Sequence, residues 1–162
     1  MIAAVAVGGG ASALVDLRSR RVPNGLTLGI AVLGVALSAA HLTEVSLVAA
    51  LGGLAIGFVL MLPGHLAGGT GAGDVKLFAA LGTMLGPTRI VMAFVYTAIA
   101  GGVIALAVAR RRQTLGETLE RTSVLVRTGG ANVADIEHAS IDNRFAYAPA
   151  IAIGALAAAF GL

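Results

Sequence analysis

The chain contains no cysteine and no tryptophan, and aromatic residues of all kinds make up only 4% of it. Without cysteine there is no disulfide, no thiol nucleophile and no Cys-ligated zinc or iron–sulfur site. Charge is scarce too, at 12% of residues against roughly 25% in ordinary soluble domains. Aromatic residues do not interleave with a basic face, so the usual footprint of a nucleic-acid binder is missing despite a net charge of +3 and a pI near 10.2. What is abundant is apolar: 57% hydrophobic residues, 23 glycines and a mean hydropathy of +0.93 over 162 residues. One small soluble core could not hide that much apolar surface. The composition implies a single membrane-embedded domain over 1–162, with the lipid bilayer as its solvent.

The few charges divide the chain into uncharged runs at 1–15, 22–43, 45–73, 77–88, 90–109 and 145–162. A helix needs about 20 apolar residues to cross the hydrocarbon. The expected architecture is therefore all-α and polytopic, with about six transmembrane helices near 2–17, 25–42, 45–63, 73–87, 89–109 and 145–162. Pro23-Asn24-Gly25 separates the first two spans, and Asn24 is expected to cap the second. Pro63-Gly64 is expected to close the third, and Gly86-Pro87 to break the chain between the fourth and fifth. The one extended polar stretch, 110–144, carries Leu115, Leu119, Thr122 and Val126 near helical spacing. It is read as a loop bearing a short amphipathic helix on the membrane surface.

Alternating these spans across a bilayer puts every one of the 11 basic residues except Arg89 on one side. Lys and Arg concentrate in cytoplasmic loops. The expectation is a multi-pass plasma (inner) membrane protein with both termini outside and 18–24, 64–72 and 110–144 facing the cytoplasm. No basic residue precedes the first apolar run, and three Arg follow it, so it reads as a span rather than a removable signal.

Inside the apolar segments ionisable groups are few. Asp16 and Asp74 both fall at cytoplasmic ends of spans, hence at similar depth. A carboxylate at membrane depth costs about 2.5–3.5 kcal/mol on insertion scales, which is tolerated where the group has a task. Two carboxylates brought together share a proton. The ionised member can deprotonate a water for attack on a peptide carbonyl, while the protonated member donates to the carbonyl oxygen. His41, His65 and His138 lack metal-ligand spacing, and no metal or organic cofactor is implied.

The surroundings of the two acids are distinctive. Asp74 lies in Gly71-Ala72-Gly73-Asp74-Val75-Lys76, where Gly71 and Gly73 permit close backbone approach. Asp16 opens Asp16-Leu17-Arg18-Ser19-Arg20-Arg21-Val22-Pro23-Asn24. Arg18, Arg20 and Arg21 read as topology anchors or substrate contacts. Lys76 reads as an interfacial anchor, or as a group orienting Asp74 or substrate, and Pro23 and Asn24 as turn-formers. Together the GAGDVK and DLRSRRVPN segments, with the span count, the sidedness and Tyr147-Ala148-Pro149-Ala150 near the end, resemble the type IV prepilin peptidase family of GxGD membrane aspartic proteases.

That resemblance implies a catalytic dyad at Asp16 and Asp74. It implies removal of the short basic leader from prepilins at the cytoplasmic face, just before their apolar helix, in the service of pilus assembly or type II secretion. Larger members carry a region with paired cysteines and a methyltransferase activity. Neither is present here, so the resemblance is to the minimal Flp/Tad-type form, without N-methylation. Two other readings fit a paired-acid membrane protein: a proton-coupled transporter, and a non-catalytic subunit of a pilus or secretion machine. A relay favours acids near the midplane and polar groups along a path, whereas here both acids lie at one face.

Overall fold

A computed structural model describes residues 2–19, 23–67, 69–111 and 147–161. All regular structure among them is helical: α1 (Ile2–Ser19), α2 (Asn24–Ala39), α3 (Leu47–Leu66), α4 (Ala72–Arg111) and α5 (Ala148–Phe160). The surface helix expected within 110–144 lies outside the described residues, apart from the end of α4.

α4 is two helices in one, because Gly86 departs from helical geometry at φ 74° and ψ 178°. That conformation is open essentially to glycine alone. Pro87 follows, where its missing N–H costs nothing at the start of a new helical stretch. The break sits over Val45 of the α2–α3 connection, and on the same side Arg89 pairs with Glu44 at 4.0 Å. Helical segments thus occupy all six of the expected stretches.

Two of the expected boundary signals act differently. Pro63-Gly64 does not end α3, which continues to Leu66 with the Ala67 N–H bonded back to the Pro63 carbonyl at 3.0 Å. Proline removes its own donor, but its carbonyl can still accept from the following turn. At the other end of α3, Ser46 caps the helix by accepting from the Ala49 N–H at 3.2 Å. The second difference is Asn24. It is the first residue of α2 rather than its cap, and the capping position is held by Pro23, whose carbonyl accepts from Leu26 and Thr27.

The first part of α4 is the central post. Every residue from Asp74 to Gly86 is buried except Lys76. Phe78, Leu77 and Leu81 are fully enclosed, and Phe78 meets Phe94 edge-on at 6.2 Å. α3 reaches this post through small residues. A Cβ placed on Gly53 would collide with the Gly82 carbonyl, and one placed on Gly82 with the Gly53 carbonyl. The two backbones touch directly, the contact by which helices associate in lipid, where no hydrophobic force drives them together. α5 packs between α1 and α4, and α2 lies against α4 and α3.

The outer faces are the reverse of a soluble protein's. Val48 is 80% exposed, and Leu28, Val59, Ile99 and Val103 are likewise turned outward. Two of the buried hydroxyls bond within their own helices, Ser12 to the Gly8 carbonyl and Thr83 to the Ala80 carbonyl, both at 2.7 Å. Leu47–Leu66 and Ala72–Val108 are long and apolar enough to cross a membrane, while α2 and α5 are shorter apolar helices of 16 and 13 residues.

Candidate active site

Three helix ends converge at one end of the bundle: the C-terminal turn of α1 and the N-termini of α4 and α5. α1 contributes Asp16, 5% exposed. Its side chain would be costly there without a hydrogen-bonding partner. The partner is the backbone N–H of Ala148, which donates to Asp16 Oδ2 at 3.3 Å. Ala148 is the first residue of α5, and amides of a helix's first turn have no acceptor within the helix. The carboxylate thus lies at the positive end of the α5 dipole.

Asp74 is held from within its own helix. It sits three residues past Gly71, and the Gly71 N–H donates to Asp74 Oδ2 at 3.1 Å while the Gly71 carbonyl accepts from the Asp74 N–H at 3.0 Å. This is the acidic half of a capping box. Asp74 is 8% exposed. Glycine matters at position 71, since an added Cβ would lie 3.2 Å from Asp74 Oδ2. The two carboxylates are near enough that the charge of Asp16 acts on Asp74.

Lys76 does not turn to Asp74. It is exposed, and its Nζ donates to Asn24 Oδ1 at 3.0 Å, joining the start of α4 to the start of α2. Asn24 therefore spends its side chain on a crosslink between helices rather than on a cap. Pro23 sets the turn that brings Asn24 there. Gly73 is half-buried between Ala72 and Asp74, and Arg18 is exposed two residues beyond Asp16. Arg20 and Arg21 lie outside the described residues.

Two groups at this end did not stand out as site residues in the sequence. One is the Ala148 amide. The other is Tyr147, which the charge of Asp74 reaches and whose ring lies against Gly101 of α4, with its phenol oxygen 3.0 Å from where a Cβ on that glycine would be. The available signal was Pro149. A proline at the second position of an apolar run marks a helix start, and so marks the amide just before it as free to donate.

A model of the type IV leader peptidase family matches residues 3–106, taking in both aspartates. The chain belongs to that family. No curated protein and no solved structure matches it. As a type IV leader peptidase family member it is a membrane protein of a protease family, which accounts for the outward-facing apolar residues. The family match ends before α5. The Ala148 amide and the Tyr147 phenol lie beyond the matched residues and are placed at the pair by α5.

Proposed function

We propose that this chain is an aspartic endopeptidase that hydrolyses the peptide bond between the basic leader and the apolar helix of type IV, Flp-like prepilins, with Asp16 and Asp74 as its dyad. The observation that carries the reading is the convergence of two buried, electrostatically coupled carboxylates from α1 and α4, each tethered at Oδ2 by a backbone amide. A tether on one oxygen fixes the carboxylate plane and leaves the other oxygen for water or substrate.

In this reading the ionised carboxylate takes a proton from the water held between the pair. The water oxygen bonds to the scissile carbonyl carbon as the protonated carboxyl gives its proton to the carbonyl oxygen. The tetrahedral gem-diol then collapses: the C–N bond breaks, the proton gained from water passes to the leaving amine nitrogen, and one hydroxyl returns its proton to the other carboxylate as the new carbonyl forms. No group changes oxidation state and the dyad ends with the single proton it began with. The apolar helix of the substrate lies in the bilayer, so the cut falls where that helix emerges, at the level of the helix ends that bear the dyad.

The distribution of basic residues supports six crossings, with this end facing the cytoplasm and both termini outside. Lys76, Asn24, Arg18, Pro23, Gly71 and Gly73 support the site: the first two by joining α4 to α2, the glycines by allowing the approach at Asp74, and Arg18 and Pro23 by framing the α1–α2 connection on the basic side. The test is co-expression with a prepilin bearing a basic leader, reading leader removal by gel shift for wild type, Asp16→Ala, Asp74→Ala and Lys76→Ala. Loss of cutting in both Asp variants, with normal accumulation in the membrane, is expected. Wild-type cutting by either Asp variant overturns the mechanism.

A further inference from the structure

The loop that leads into α4 is closed by a residue the proposed mechanism does not use. His65 lies in the last turn of α3, and its Nδ1 is 2.9 Å from the Thr70 carbonyl oxygen. A carbonyl only accepts, so the ring nitrogen donates. The Thr70 carbonyl and the Gly71 N–H belong to one peptide group, and that N–H is the donor to Asp74 Oδ2 at 3.1 Å. A single planar amide thus stands between the imidazole and the carboxylate, bonded to the ring on its oxygen and to the acid on its nitrogen.

The rest of the loop holds that amide in place. The Gly64 carbonyl accepts from both the Gly69 N–H at 2.9 Å and the Thr70 N–H at 3.2 Å, so the chain folds back onto the end of α3. These bonds set the loop's path, and the Thr70–Gly71 plane carries two partners of its own, His65 on the carbonyl and Asp74 on the N–H. Hydrogen bonds in series polarise one another: a donor on the carbonyl oxygen draws charge from the nitrogen and makes its N–H a better donor.

We propose that His65 is a positioning residue for Asp74, acting through the Thr70–Gly71 peptide to aim the Gly71 N–H at the carboxylate and strengthen that bond. The inference rests on the reading of Asp74 as a dyad member, and adds a member of the site supplied by α3. His65 touches neither the substrate nor the reacting atoms. It sets the plane of the carboxylate that does.

Asparagine can present a side-chain N–H where the imidazole Nδ1–H now lies, and alanine cannot. The experiment compares wild type, His65→Ala, His65→Asn and Asp74→Asn, each solubilised in detergent with glycine labelled in nitrogen-15. The Gly71 amide proton is read by NMR and leader cleavage by single-turnover kinetics. An amide that loses polarisation and alignment moves upfield, so the Gly71 proton is expected upfield in His65→Ala and restored in His65→Asn. The cleavage rate constant is expected to fall roughly tenfold in His65→Ala, the scale of one ordinary hydrogen bond, with KM little changed and with recovery in His65→Asn. A Gly71 proton unmoved in His65→Ala overturns the inference, as does an equal loss in the alanine and asparagine variants, which would make the ring a space-filler. Cleavage by Asp74→Asn is a separate failure, that of the dyad itself, and is read in its own lane.

Discussion

The backbone N–H of Ala148 donates to Oδ2 of Asp16 across 132 residues of sequence, tying the start of the last helix to the end of the first. The bond comes from a helix terminus, so it brings the dipole of α5 as well as a donor. Asp74 has the matching arrangement at the start of its own helix, through Gly71. Two buried carboxylates are thus each satisfied by backbone rather than by an arginine or lysine. Among the described residues the positively charged groups near this end, Arg18 and Lys76, face outward.

Replacing either acid by its amide should remove the chemistry and keep the shape. Asp16→Asn and Asp74→Asn are each expected to lower leader cleavage by about 10³-fold, within the range given for a lost acid or base. Both proteins should reach the membrane in wild-type amounts, because an asparagine oxygen can still accept from Ala148 or Gly71. Quantitative gel shift with a blot for the peptidase measures both.

Gly71→Ala tests whether the plane of the Asp74 carboxylate matters. The new methyl would press on Asp74 Oδ2 from 3.2 Å, displacing it by tenths of an ångström. Misplacement of a reacting group by about 1 Å can cost roughly 10²-fold, so a loss of about 3- to 10-fold in the cleavage rate is expected. The thermal midpoint in detergent should move little, since position 71 is exposed.

Gly86→Ala should act on stability rather than on the site. A Cβ there has room, with Val45 at 3.5 Å, but the backbone lies in a region that side chains rarely enter. The expected cost is about 1–3 kcal/mol, seen as a lower thermal midpoint and poorer accumulation. Gly53→Val should be worse than Gly52→Val, because position 53 faces the Gly82 backbone directly whereas position 52 meets only the edge of Pro87.

The Lys76–Asn24 bond can be measured by a double-mutant cycle. It lies on the exposed surface, so its loss should have a small effect on stability. The two single substitutions to alanine should each cost as much as the pair together, since either one breaks the same bond. Additive losses would show that the two side chains act separately, with Lys76 serving as an interfacial anchor.

The segments most visible in the sequence were those where one physical demand dominates. Uncharged runs between rare charges located the helices, because the hydrocarbon admits little else, and Gly86-Pro87 located the break in α4. Asp16 and Asp74 stood out because acids are costly at membrane depth. The roles of Asn24 and Lys76 were not legible, since both depend on the start of α2 lying beside the start of α4, a pairing that no local pattern encodes. Pro63 does not end α3 because the acceptor it keeps still closes the following turn, although it lacks a donor. His65 and the Ala148 amide were hidden for a further reason: each acts through a backbone group, and backbone groups carry no residue-type signature.

The placement of Ala148 has a consequence for how the molecule comes into being. Both aspartates emerge from the ribosome and enter the bilayer well before the amide that tethers Asp16 has been synthesised. Until α5 docks between α1 and α4, Asp16 lacks its donor. The arrangement is completed only when α5 arrives, so a partly made chain holds both acids without the tether that fixes Asp16.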